Sequence, residues 1–92
     1  MTSVNVQRNL AMSKDQALQA AEKVADKLAR DYGVNFSWRG DCADIKGPGV
    51  QGTCTVSEGL VDIQLTLGFL AAPFAVRVKE EINKYFDRLE QA

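Results

Sequence analysis

The sequence predicts an α+β fold: a β-α-β-β-β-β-α two-layer sandwich whose antiparallel sheet carries two helices on one face. Three observations lead to this fold class. Apolar residues recur with helical spacing over residues 14–32 and again over residues 73–89. Between them, residues 34–67 alternate apolar and polar side chains, as half-buried strands do. At 92 residues, the chain is expected to form a single domain, 1–92.

The first two elements are a strand over residues 3–9 and the helix that follows it. Ser13 is a favourable N-cap, and Gln16 three residues later completes a capping box. Gly33 is the residue type expected just after the last turn of a helix. An alanine-rich apolar stripe runs along this helix and would allow close approach to a sheet: Ala17, Leu18, Ala21, Val24, Ala25, Leu28, Ala29 and Tyr32.

Four strands follow, and the parity of their side chains predicts their registers, because a one-residue slip turns every side chain to the other face. The expected pairs, each closed by a four-residue loop, are Trp38 with Ala43, Ile45 with Val50, and Val56 with Val61. The apolar face then collects Phe36, Trp38, Ala43, Ile45, Val50, Cys54, Val56, Val61, Ile63, Leu65 and Leu67. The first strand is placed beside the last one, in a sheet of five strands or of four with a weak edge. A compressed helix-grip layout is the related alternative.

The two cysteines, Cys42 and Cys54, test the middle register. A three-residue loop at 47–49 would bring them opposite each other but would mix charged and apolar faces. Parity instead favours Cys54 on the apolar face and Cys42 in a turn, unpaired, although a bridge between them stays open. Because the N-terminus shows no export signal, the chain is expected in the cytoplasm, where thiols stay reduced.

The last segment combines a turn at Gly68, an uncharged connector, 69–72, and a helix that begins at Pro73. The apolar stripe of this helix is expected at Phe74, Val78, Ile82, Tyr85 or Phe86, and Leu89. Two interpretations of Phe69 and Leu70 remain. They form an exposed hydrophobic contact, or they fold under the helix as core, which the general burial of large apolar residues favours.

Composition excludes several function classes. The net charge is −1 with no basic cluster, so a nucleic-acid partner is not expected. No apolar run approaches the roughly 20 residues of a membrane-spanning helix. Histidine is absent, which removes the commonest general base and metal ligand. We therefore expect no enzyme activity, no catalytic residues, no cofactor and no metal site.

The remaining candidates for chemistry have simpler structural interpretations. The stretch 47–49 lacks the lysine and the following helix of a phosphate-binding loop, and is expected to be a hairpin turn. Asp41 and Asp44 lack the further oxygen ligands that a calcium ion needs. Neither cysteine has a histidine partner that would make it a nucleophile. Trp38 is expected in the core, with the rim of a pocket as the alternative.

With the elements in order, the sequence resembles the small bacterial polyhydroxyalkanoic acid system proteins. The resemblance covers nearly the whole chain and rests on three stretches in sequence: "YGVNFSWRGD" (32–41), "GPGVQGTCTV" (47–56) and "LGFLAAPF" (67–74). It implies a non-enzymatic accessory role in the storage-polyester system, with association to polyhydroxyalkanoate granules. The resemblance supplies no catalytic residues.

Competing functions follow from these features. The first is a granule-associated protein that touches the polyester granule surface or granule proteins through Phe69 and Leu70. The second is a carrier that encloses an acyl or other hydrophobic ligand between the sheet and the helices. Gly52, expected opposite Ala43, would leave room for such a ligand. A homodimer formed through an edge strand also stays open, because little protects the edge of the second strand.

Overall fold

A computed structural model describes the backbone of residues 2–91 and the side chains of residues 2–88. It has one five-stranded, fully antiparallel sheet in the order β1-β5-β4-β3-β2, so the sheet ends in β1 on one side and β2 on the other. The elements are β1 Thr2–Asn9, α1 Lys14–Tyr32, β2 Asn35–Arg39, β3 Cys42–Gly47, β4 Val50–Ser57, β5 Leu60–Leu67, a 3-10 turn Ala72–Phe74 and α2 Ala75–Gln91. The predicted α+β sandwich and the pairing of the first strand with the last are confirmed.

Helix α1 begins and ends where its capping residues predict. The Ser13 hydroxyl accepts a hydrogen bond from the Gln16 amide at 3.2 Å, and the Gln16 side chain accepts one from the Ser13 amide at 3.1 Å. Gly33 closes the helix in the left-handed conformation, with φ 68°. Both helix ends are therefore determined by local chemistry.

Two of the three predicted registers are confirmed and one is wrong. Trp38 lies opposite Ala43, and Val56 lies opposite Val61, as expected. Ile45, however, pairs with Gly52 and not with Val50, which is a shift of two residues. All three hairpins are tighter than expected, since strand pairing continues into the predicted four-residue loops and leaves two-residue turns.

The two-residue turns depend on glycines, which the prediction of four-residue loops did not consider. In the β3–β4 hairpin Gly47 pairs with Val50, so only Pro48 and Gly49 form the turn. Gly49 has φ 71°, and proline followed by a glycine with positive φ satisfies a two-residue turn. Because the shift is by two residues, every side chain keeps its predicted face.

The core lies between the sheet and the two helices. Helix α1 packs on β2, β4 and β5, while α2 packs mainly on β1. Ala20, which the predicted stripe of α1 omitted, is buried as well. Within residues 2–88, the core contains Val4, Val6, Leu10, Ala17, Ala20, Ala21, Val24, Leu28, Val34, Ala43, Ile45, Cys54, Val56, Val61, Ile63, Leu65, Leu67, Val78, Ile82 and Phe86.

Helix α2 follows its predicted stripe in the middle but not at its start. Val78, Ile82 and Phe86 are buried, which decides between Tyr85 and Phe86 in favour of Phe86. Phe74 was expected in the stripe, yet it is 52% exposed, because it lies in the 3-10 turn before the helix begins. Leu89, also expected in the stripe, has a side chain outside the described residues.

Arg8 links the edge strand β1 to α2 through side-chain hydrogen bonds. Its position on β1 has the same parity as Val4 and Val6, so its side chain starts on the inner face. The guanidinium donates a 2.8 Å hydrogen bond to Asp87 and contacts the Asn83 side-chain oxygen at 3.2 Å. Its carbon lies 5.9 Å from the centre of the Phe86 ring, within reach of a cation–π interaction.

Gly52 is required for backbone packing, not for ligand space. The expectation that it lies opposite Ala43 and leaves room on the inner face is wrong, because its neighbours are Ile45 and Leu65. A Cβ atom at this position would lie 2.0 Å from the Gln64 carbonyl oxygen. Backbone atoms of β5 therefore fill the space that any side chain would need.

Replacement of Gly52 by alanine should destabilise the protein by about 3 kcal/mol or more, because the added methyl forces two paired strands apart. Urea unfolding followed by circular dichroism measures this change. Gly68→Ala is the matched control, since a Cβ there would meet its nearest atom at 3.6 Å, an ordinary contact. Equal stability of the two variants would contradict this account of Gly52.

Candidate functional site

The connector between β5 and α2 is held in place at its base by backbone hydrogen bonds. The Gly68 amide donates to the Gly49 carbonyl at 2.7 Å, which joins the connector to the β3–β4 turn. The Gly68 carbonyl in turn accepts hydrogen bonds from Ala71 at 3.1 Å and Ala72 at 2.9 Å. Residues 69 and 70 lie between these anchored positions, and the tight turn directs them away from the sheet.

Four large apolar side chains of this region are exposed. The exposed fractions are 91% for Phe69, 84% for Leu70, 52% for Phe74 and 69% for Val76. We call these four residues the connector patch. The favoured expectation that Phe69 and Leu70 fold under the helix as core is therefore wrong, because both side chains lie in the turn between the anchored residues and are exposed. Exposed large apolar side chains concentrated within eight residues are typical of a contact surface.

A cleft opens beside the connector patch, between α1, the start of α2 and the end of the sheet. Its volume is about 570 Å³, and we call it the helix–sheet cleft. Leu70 and Phe74 belong both to its lining and to the connector patch, so the two features are continuous. The cleft is lined by Leu28, Asp31, Tyr32, Val34, Pro48, Gly49, Val50, Leu65, Leu67, Leu70, Ala71, Phe74, Arg77 and Val78.

The polar groups of the cleft come from the ends of the two helices. Asp31 and Tyr32 lie in the last turn of α1, and Arg77 lies in the first turn of α2. The Asp31 carboxylate is paired with Lys27 at 3.2 Å. Among the residues that the structure describes, Arg77 makes no ion pair, and the Tyr32 hydroxyl makes no hydrogen bond. The Arg77 guanidinium and the Tyr32 hydroxyl are thus available to a ligand.

The carboxylates Asp41 and Asp44 are each engaged by a basic side chain. Lys14 forms a salt bridge with Asp41, and the hydrogen bond and negative charge of Asp41 raise the pKa of Lys14. Arg39 pairs with Asp44 at 3.0 Å. Across residues 2–88, no three or more acidic or cysteine side chains form a group that could hold a metal ion.

The two cysteines lie on opposite faces of the sheet. Cys42 was expected in a turn, but it is the first residue of β3, lies opposite Thr55 and is exposed. Cys54 lies opposite Ala43 and has no exposed surface. Burial raises the pKa of the Cys54 thiol from 9.0 to about 12, and the nearby Asp62 charge adds to this effect. Both thiols are free.

The aromatic pair on β2 lies away from the cleft. Phe36 and Trp38 are stacked with ring centres 6.2 Å apart, half-buried at the sheet edge. Trp38 packs against the core and does not line the helix–sheet cleft. Likewise, the predicted hairpin at 47–49 is confirmed, and its tip forms one wall of the cleft.

Sequence reasoning named Phe69 and Leu70 as candidate contact residues, and they stay candidates; it did not name Tyr32 and Arg77 among them. Tyr32 was assigned to the apolar stripe of α1, and Arg77 to the solvent face of α2. Their proximity depends on how the two helices lie on the sheet, because they are 45 positions apart in sequence. The one sequence signal was Arg77 itself, the first charged residue after the long uncharged stretch that begins at Leu65.

The fold and the site define a small α+β protein with an exposed apolar connector beside an open, mainly apolar cleft. The chain belongs to the polyhydroxyalkanoic acid system protein family, whose family model matches residues 4–89. Comparison with curated proteins and with solved structures gave no match. Within residues 2–91, neither helix combines the length and apolar composition needed to traverse a bilayer.

Only one of the two thiols should react with Ellman's reagent in the folded protein. Cys42 is exposed, whereas Cys54 is buried and its raised pKa keeps the thiolate scarce at pH 8. We expect one thiol per chain to react quickly and the second only after guanidinium is added. Cys42→Ser should abolish the fast reaction, and Cys54→Ala should leave it unchanged. Two fast thiols in the native protein would contradict the buried position of Cys54.

Proposed function

We propose that the protein is a non-enzymatic accessory protein of the polyhydroxyalkanoate system that docks on the polyester surface of storage granules in the bacterial cytoplasm. The observation that carries this proposal is the exposure of the connector patch, above all of Phe69 and Leu70. Family membership supports a role in this system, because the family is described as polyhydroxyalkanoic acid system proteins. The proposal assigns no catalytic residue, cofactor or metal to the chain.

The physical basis for docking is the removal of apolar surface from water. Full burial of a Phe or Leu side chain contributes about 1.5–3 kcal/mol, and Phe69 and Leu70 are almost fully exposed before contact. Because association also costs translational and rotational freedom, two such side chains alone give only weak binding. Phe74 and Val76 extend the same surface and would add to it.

The docking surface is positioned rigidly enough to act as a unit. The Gly68–Gly49 hydrogen bond and the two hydrogen bonds to the Gly68 carbonyl hold the base of the connector against the sheet. Less conformational freedom is then lost on contact than for a flexible tail. The surface is uncharged between Leu65 and Val76, so no charged group needs to be desolvated within it.

Replacement of Phe69 and Leu70 by serine should reduce binding to isolated granules by at least tenfold. Co-sedimentation of purified protein with granules measures this, with free and bound fractions quantified over a concentration series. Because both side chains are exposed, the free energy of unfolding of the variant should lie within about 0.5 kcal/mol of that of the parent. A Gln51→Ser, Thr53→Ser variant on the open sheet face is the matched control and should bind like the parent.

Binding to granules whose proteins have been removed by protease distinguishes contact with the polymer from contact with granule proteins. Undiminished binding to stripped granules supports docking on the polyester. Binding lost on stripping would assign the partner to a granule protein and overturn the polymer contact. Equal binding of the parent and the serine variant would show that the connector patch is not the contact surface.

A carrier for a small apolar ligand is the second candidate, and the helix–sheet cleft favours it. The cleft volume of about 570 Å³ lies within the range of roughly 300–1,000 Å³ found for small-molecule sites. Its floor is formed by buried aliphatic side chains of α1 and β5: Leu28, Leu65 and Leu67. An aliphatic chain placed there would replace water at an apolar wall.

Titration with 1-decanol, an uncharged aliphatic probe, tests the carrier. Backbone amide shifts of ¹⁵N-labelled protein should move at Val50, Leu67 and Ala71, which line the cleft. Amides of the open sheet face, such as those of Asn5 and Thr53, serve as internal references and should stay unchanged. Shifts spread evenly over the protein, or none at all, would rule out binding of an uncharged aliphatic chain in the cleft.

A further inference from the structure

We infer that the helix–sheet cleft binds an aliphatic carboxylic acid, with the hydrocarbon chain on the apolar floor and the carboxylate against Arg77. This inference rests on the second candidate function, the carrier, and assigns its ligand class. It does not depend on granule docking, because Phe69 and Val76 belong to the connector patch but not to the cleft lining.

The apolar part of the cleft determines the hydrocarbon half of the ligand. Most lining residues have aliphatic or aromatic side chains, contributed by α1, β4, β5, the connector and α2. Leu28, Leu65 and Leu67 are at most 4% exposed, so they form a fixed floor. Leu70 and Phe74 form the rim of the cleft, and both side chains are exposed.

The charge distribution at the cleft favours an anion at the start of α2. Arg77 makes no ion pair with a described residue. The first turn of α2 contains no acidic residue, so the positive end of the helix dipole is left without a negative side chain. Among the described residues, Asp31 is the one acidic residue of the lining, and its carboxylate pairs with Lys27 at 3.2 Å, although Lys27 also lies 4.0 Å from Glu81.

The number and type of polar groups fit a carboxylate better than a larger anion. An arginine guanidinium can donate two parallel hydrogen bonds to the two oxygens of one carboxylate. The Tyr32 hydroxyl is a further donor in the lining, and it makes no hydrogen bond with a described residue. If the ligand were a phosphate ester of a polar group, its polar atoms would lie against the aliphatic walls of the cleft. Their desolvation would cost free energy.

Decanoate and 1-decanol have the same chain length but differ in charge. Comparing their affinities therefore distinguishes the contribution of the carboxylate contact from that of chain burial. Amide-shift titrations at pH 7, below the micelle concentration of decanoate, give dissociation constants for both probes. Arg77→Gln keeps the length and polarity of the side chain and removes its charge. Lys79→Gln removes a charge from an exposed position of α2 outside the cleft and is the matched control.

The parent should bind decanoate more tightly than 1-decanol. Arg77→Gln should weaken decanoate binding about tenfold, as expected for loss of a hydrogen-bonded charge, and leave 1-decanol binding unchanged. Lys79→Gln should change neither. The Phe69→Ser, Val76→Ser variant, which alters no lining residue, should bind decanoate like the parent even if it no longer binds granules.

Two results would overturn the inference in different ways. If Arg77→Gln and the parent bind decanoate equally, or if 1-decanol binds as tightly as decanoate, the carboxylate assignment is wrong while the carrier stands. If neither probe shifts the amides of the cleft, both the ligand class and the carrier are wrong. Granule docking is unaffected by either result, because co-sedimentation measures it independently.

Discussion

The rest of the structure depends on the burial of one face of a five-stranded sheet beneath two helices. Each strand contributes apolar side chains to that face, and the opposite face carries mainly polar ones. The alanines of α1 are small enough to let the helix lie close to the sheet, which buries Cys54 and its neighbours. Every register is constrained by this burial, because a slip of one residue would expose the entire core.

The two helices cover the sheet incompletely, and this incomplete cover produces the cleft. Hydrogen bonds from Arg8 to Asn83 and Asp87 link β1 to α2, whereas α1 packs on β2, β4 and β5. The C-terminal end of α1 and the start of α2 meet the sheet at the same end, beside the β3–β4 turn. The gap between them is bounded by the connector, so the exposed side chains of Leu70 and Phe74 form part of the cleft lining.

This overlap connects the two candidate functions physically. Leu70 and Phe74 line the cleft and also belong to the connector patch, so a surface that covers the patch would lie across the cleft entrance. A protein docked on a polymer body through this end would present its cleft toward that body.

The sequence by itself determined the strands and helices, their order and the face of each side chain that it assigned in the sheet, because capping residues and the periods of helix and strand act locally. It did not determine the β3–β4 register, since a shift of two residues keeps every side chain on its face and only the turn at Pro48–Gly49 distinguishes the alternatives. Tertiary structure alone decided that Phe69 and Leu70 are exposed, that Gly52 has no room for a side chain, and that Tyr32 and Arg77 share a cleft. These features arise from contacts between residues far apart in sequence, where local pattern carries no information about distance.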